Sequence, residues 1–242
     1  MKNVILLIRR ELGGYLRTPG GYLIAASVLL LDGLFFTTMA VGDSPKLSSE
    51  VLQEFFFWAG GLTSAAAVFL AMRLFAEEKS SGTQILLFTS AVHEGEIVLA
   101  KFLSAFIFLT GFTLLSLYLP ALIFVNGKIS LGHIAAGYIG MLLLGGSSLA
   151  LGTLGSALAP NQLVALLLGG VFVFFFDVLF WHIARITDPP LSSIIAYAAL
   201  YVKHYHPFRT GLLQLSGVVV YFSVIYFSLL GATRALQSQR WQ

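Results

Sequence analysis

Six apolar runs, each near or above the length needed to cross a bilayer, leave this chain few folds to choose from. A membrane-spanning helix needs about 20 apolar residues, and such runs fall at residues 22–41, 55–73, 98–125, 133–159, 162–182 and 212–234. In hydrocarbon every backbone N–H and C=O must be bonded within its own segment, so runs of this length read as helices. Composition agrees. The 242 residues are 57% hydrophobic and only 10% charged, against about 25% charged in soluble domains. No long polar segment is present to build a water-soluble domain. The expected fold is all-α and integral to the membrane: an interfacial amphipathic helix at 1–18, then a six-span transmembrane domain at 19–242.

In the first 18 residues Ile5, Ile8, Leu12, Tyr15 and Leu16 recur at helical spacing, with Arg9, Arg10 and Glu11 crowded toward the other side. This pattern predicts a helix lying in the membrane interface, with Arg9, Arg10 and Arg17 near anionic headgroups; a plain basic flank is the alternative for any one of these arginines. Val4 to Ile8 is too short an apolar core for a secretory leader. Thr18-Pro19-Gly20-Gly21 breaks the helix and turns the chain into the membrane. Six spans place both termini on one side. With the N-terminus inside, Lys/Arg 2, 9, 10, 17, 73, 79, 101, 234 and 240 are inner and 46, 128, 185, 203 and 209 outer, the bias that the positive-inside rule favours. Both termini are therefore expected in the cytoplasm.

Between the second and third spans lies a charged island carrying Arg73, Glu77, Glu78, Lys79, Glu94, Glu96 and Lys101. At a bilayer centre each charge costs about 2.5 kcal/mol or more, so residues 74–97 are expected in water. Thr83 to Phe88 and Glu94 to Leu99 are short and amphipathic, the pattern of small interfacial helices. The run RLFAEEKSSGTQILLFTSAVHEGEIVLAKFLSAF resembles the cytoplasmic loop of type-2 ABC exporter permeases: an acidic pair and Lys before Gly-Thr, an aliphatic run, Thr-Ser, and an EIVLAKF-like entry into the next span. Gln84 stands where that family often has Glu, and Ala91 where it often has Pro. The likeness covers about thirty positions. It implies that Glu77, Glu78, Lys79, Gly82, Thr83 and Gln84, with Glu94 and Glu96 downstream, lie at or near a coupling helix that docks on a separate ATPase subunit. The start of the chain and its Arg240-Trp241 ending also resemble the gliding-motility branch of these permeases, which usually carries a more acidic motif where this chain has His204-Tyr205-His206-Pro207-Phe208-Arg209.

Inside the spans, Asp32 lies about 16 Å deep in the first, near the midplane. An intramembrane carboxylate faces protein or a wet cavity, as a functional group or as a protonated acid bonded to a neighbouring helix; both readings stay open. Asp177, followed by Trp181 and His182, is expected nearer the outer surface in an aromatic belt. Ser148, Gly152 and Ser156 are spaced by four, a stripe of small residues that lets helices approach closely. His204 and His206 flank Tyr205 but have no third ligand nearby, so no metal site is expected. Segment 185–210, broken by prolines, reads as a re-entrant or interfacial piece.

Zero cysteines exclude disulfides and thiolate chemistry. The net charge of +3 is too dispersed for nucleic acid. No phosphate-binding loop, nucleophile elbow or His-Glu-x-x-His helix occurs, so the chain is not expected to be an enzyme or to hold a cofactor. What the resemblance implies is a bacterial inner-membrane permease, an exporter, working with a second permease copy in a homodimer, two ATPase subunits that carry ATP and Mg, and an accessory protein in the periplasm or membrane. A mechanical, envelope-assembly role without transport, and an ion-coupled carrier using Asp32, are the competing expectations.

Overall fold

The computed structural model describes residues 2–42, 45–83, 93–124 and 127–239, and among them every regular element is helical. Helix α1 (Lys2–Arg17) ends at Thr18, whose backbone is extended (φ −98°, ψ 141°), as the residue before a proline must be. Pro19 then opens α2 (Pro19–Phe35), in the first turn, where a missing N–H costs nothing. A wider turn (Phe36–Val41) ends α2 at Gly42, at φ +56°. Helix α3 (Ser48–Ala71) starts well before the expected second span, because the Glu50 carboxylate accepts the Leu47 N–H (3.1 Å) at its first turn. Residues 48–54 are therefore helix rather than polar loop. Helix α4 (Ala76–Ser80) follows after a bend at Met72–Phe75.

The third span is broken. Helix α5 (Glu94–Leu115) stops at Ser116 and resumes as α6 (Tyr118–Ile123). Pro120 has no N–H for the Ser116 carbonyl four residues back, and its ring would collide with it in a continuous helix. Helix α7 (Leu131–Leu158) is capped by the Ser130 hydroxyl, and α8 (Gln162–Phe174) by Asn161, which accepts the Val164 N–H at 3.0 Å. A wide turn (Phe175–Leu179) leads into α9 (Phe180–Ile186). Short helices α10 (Leu191–Tyr197) and α11 (Tyr205–Arg209) precede α12 (Leu215–Gln239).

Six stretches are long and apolar enough to cross a membrane: Pro19–Val41, Ser48–Ser80, Glu94–Ile123, Leu131–Leu158, Gln162–Ile186 and Leu215–Gln239. The architecture is that of a multi-pass helical membrane protein. Helix α7 is its centre: 78% of its apolar window is buried, against 22% for the first, fifth and sixth stretches, whose apolar side chains face outward. Glycines set how closely its neighbours approach. A Cβ on Gly155 would lie 2.7 Å from the Gly169 backbone nitrogen of α8, and one on Gly152 would lie 2.6 Å from the Ala71 Cβ of α3.

Segment 185–210 is not confined to an interface. Tyr205 and Phe208 are fully buried, and the Tyr205 hydroxyl donates to the Phe56 carbonyl at 2.8 Å. Tyr201 likewise donates to the Phe57 carbonyl, and Tyr221 of α12 donates to that of Leu200 (3.0 Å). Burial among these rings also holds the His204 imidazole below its ordinary pKa, while its Nε2 lies 2.9 Å from the Tyr197 carbonyl.

Candidate functional site

Four ion pairs gather around the α3–α4 bend. Where α3 stops, the N–H groups of the new helix need acceptors. Ser156 of α7 supplies one: its hydroxyl oxygen accepts the Phe75 and Ala76 N–H groups (3.1 and 3.2 Å) and donates to the Met72 carbonyl (3.3 Å). The end of α7 has the opposite need, free carbonyls with no donors. Lys79 meets it, donating to the Ala157 and Ala159 carbonyls at 2.6 and 3.1 Å, and the Gln239 amide shares the first of these.

Lys101 of α5, 4% exposed, pairs with Glu78 (2.8 Å) and with Glu11 of α1 (3.5 Å); Glu11 in turn pairs with Arg10 (2.7 Å). Arg73 holds Glu77 one turn on, at 2.9 and 3.1 Å. Through these contacts α4 is tied to α1, α5, α7 and, by the shared carbonyl, α12. Between α1, the bend and α5 is a cleft of about 350 Å³ whose charged lining is Glu11, Arg73, Glu77, Glu78 and Lys101. Three acids against two bases leave it net negative by one. Tyr15 closes one wall, stacked on Phe108; burial, reinforced by Glu11, pushes its phenol up.

The expected loop residues divide into two groups. Glu78 and Lys79 point into the bundle. Glu77 is half exposed, and Ser80, Ser81, Gly82 and Thr83 are exposed. Gly82 has φ +71°, a left-handed conformation that glycine adopts without strain. The Ser81 hydroxyl lies 2.8 Å from the Glu77 carbonyl and 2.9 Å from the Thr83 hydroxyl. Gln84 and the amphipathic run after it lie outside the described residues. Glu94 to Leu99 is no separate interfacial helix: it forms the first turns of α5, where Glu94, Ile97 and Val98 are buried. Glu94 and Glu96 sit at the positive end of that helix dipole, where carboxylates are favoured.

On α1, Arg9, Arg10 and Arg17 are exposed. The apolar face is split: Leu12 and Tyr15 pack into the bundle, whereas Ile5 (64%) and Leu16 (48%) point outward.

A second polar locus lies among the spans. Asp177 is buried, not part of an aromatic belt, and its Oδ2 lies 2.8 Å from the Ser64 hydroxyl, which lies 2.7 Å from that of Ser148. Packing draws it inward because Gly61, Ala65 and Gly170 leave room beside α3. Asp32 is also buried, and its Oδ1 has no partner among the described residues. Asp177 sits at the level of Ser148 on α7, whereas Gly33, next to Asp32, faces the Tyr118 hydroxyl of α6. Of the small-residue stripe, Gly152 packs on α3 and α8, but Ser148 and Ser156 serve as hydrogen-bonding groups. Sequence reasoning missed Ser64, although Gly60, Ser64, Ala67 and Ala71 form a small-residue stripe of their own. Among the described residues no group of three or more His, Asp and Glu side chains is placed to hold a metal.

The chain matches no protein-family model and no curated protein sequence.

Proposed function

We propose that the chain is the membrane subunit of a type-2 ABC transporter of the bacterial inner membrane, an exporter in which two copies pair with two ATPase subunits. One observation carries this reading. The short helix at the end of the second span and the turn after it present an exposed edge (Glu77, Ser80, Ser81, Thr83), while the other side is bonded to α5 through Glu78 and to α7 through Lys79 and Ser156, with α1 joined through Lys101 and α12 through the shared Ala157 carbonyl. A push on that edge is therefore a push on α1, α5, α7 and α12 together. The likeness of residues 73–106 to the coupling loop of those permeases agrees with this placement, and the acidic cleft beside α1 is a receptacle of suitable size and sign for a basic element of the ATPase. ATP and Mg reside on that partner.

The test uses Glu77, whose exposure makes it a probe of docking rather than folding. Glu77→Lys should leave the permease stable but reduce co-purification with its ATPase partner at least tenfold and abolish substrate-stimulated ATP hydrolysis. Unchanged binding and stimulation would remove the coupling assignment.

The ion-coupled carrier is kept as a second reading, because Asp32 and Asp177 are both buried and neither forms an ion pair among the described residues. Transport that persists without any ATPase would favour it.

A further inference from the structure

We propose that the groove between α3 and α8 binds an apolar organic monocation, which Asp177 takes up in exchange for a proton. The groove has a volume of about 510 Å³ and opens sideways from the bundle, within the 300–1,000 Å³ range of ligand pockets. Val68, Phe69, Val173 and Phe174 make its walls apolar, and Asp177 is its one charged group.

A proton count defines the floor. Three contacts run in line: the Ser148 hydroxyl to the Leu144 carbonyl (3.0 Å), Ser148 to Ser64 (2.7 Å), and Ser64 to Asp177 Oδ2 (2.8 Å). Two serines carry two protons for three links. With Asp177 protonated, every link holds one proton, each donated toward Leu144. With Asp177 ionised, the hydroxyls reverse: Ser64 donates to the carboxylate and Ser148 to Ser64, releasing a carbonyl that lies within its helix ladder. The chain thus serves both forms of the acid.

The other carboxylate oxygen, Oδ1, is buried with no partner among the described residues. The titratable groups facing Asp177 from neighbouring elements are Tyr201 and Tyr221. Both donate to backbone carbonyls, of Phe57 and Leu200, so neither supplies Oδ1. An ionised carboxylate in an apolar wall requires a counter-charge. A small hydrated ion would surrender its water shell for too few oxygens, whereas a weakly hydrated organic cation brings its own apolar surface and can lie against Phe69 and Phe174. The exchange balances: protonated Asp177 plus one cation gives the carboxylate–cation pair and one released proton.

This names a cargo class for the transport reading and rests on it for the fate of the cation, but binding needs no ATPase. The full chain in lipid nanodiscs, without ATPase, is dialysed against radiolabelled tetraphenylphosphonium, with empty nanodiscs subtracted. Expected is saturable binding that weakens as pH is lowered, is not competed by tetraphenylborate, loses at least tenfold in affinity in Asp177→Asn, and persists in Asp177→Glu. Two results would overturn the proposal. One is pH-independent binding that Asp177→Asn leaves unchanged. The other is no saturable binding while Phe69→Cys cross-links between copies, which would make the groove a subunit contact. Because pH dependence is read on the parent chain, a poorly folding Asp177→Asn does not spoil the test. Loss of ATPase coupling in Glu77→Lys alongside intact cation binding would separate the two claims.

Discussion

Lys101 is a cation at the start of a membrane span, 4% exposed, and it is kept there by Glu78 and Glu11. Removing one member of a buried ion pair leaves the other charge unsolvated and costs about 3 kcal/mol or more, whereas removing both together can be nearly neutral. Lys101→Met should therefore lower the unfolding midpoint in detergent by several degrees, and Lys101→Met with Glu78→Gln should recover most of that loss. A single variant as stable as the parent would mean that the pairing contributes nothing. Seven charges between the second and third spans are plain in the sequence, but their pairing is not. Glu78 and Lys101 are 23 residues apart and Glu11 is in another helix, so only the fold can reveal that some charges of the island turn inward while Glu77 stays at the surface.

At the scale of elements, the six spans are legible because the hydrocarbon core imposes a length and a composition that the sequence must carry. Their ends are less legible. Glu50 and Glu54 read as loop residues, yet a carboxylate in the first turn of α3 extends that helix outward. Glu94 and Glu96 read as an interfacial helix, yet they open α5. The largest surprise is the segment from Leu200 to Arg209, whose mixed polarity conceals that Tyr205 and Phe208 fill a seam between α3 and α7. That burial depends on glycines more than fifty residues away: a Cβ on Gly60 would lie 2.5 Å from the Tyr205 ring. Gly60→Val should expel the ring and cost about 3 kcal/mol of overpacking, read as a lower unfolding midpoint and faster proteolysis between residues 185 and 210. Gly170, which borders the α3–α8 groove with open space beside it, should accept alanine with little change in the unfolding midpoint. Equal effects at the two positions would show that the segment is not held by this seam.

Across the whole molecule, burial is uneven in a way that bears on assembly. Helix α7 is enclosed, while α2, α8 and α12 expose most of their apolar surface, as befits helices that meet lipid or another subunit. The hydrogen-bonded bend, the net-negative cleft and the exposed edge of α4 all lie at one end of this bundle, the end that also holds the start of α5 and the close of α7. Lys/Arg bias leads to the expectation that this end is cytoplasmic, and the proposed motor requires it there. The chain has no cysteine, so Ser80→Cys is a unique reporter on an exposed residue. In intact cells a membrane-impermeant maleimide should leave it unlabelled, and in inverted membrane vesicles it should label it fully, less so when the ATPase is bound. Full labelling from outside intact cells would contradict the account, since a handle for an ATP-driven motor cannot face away from ATP.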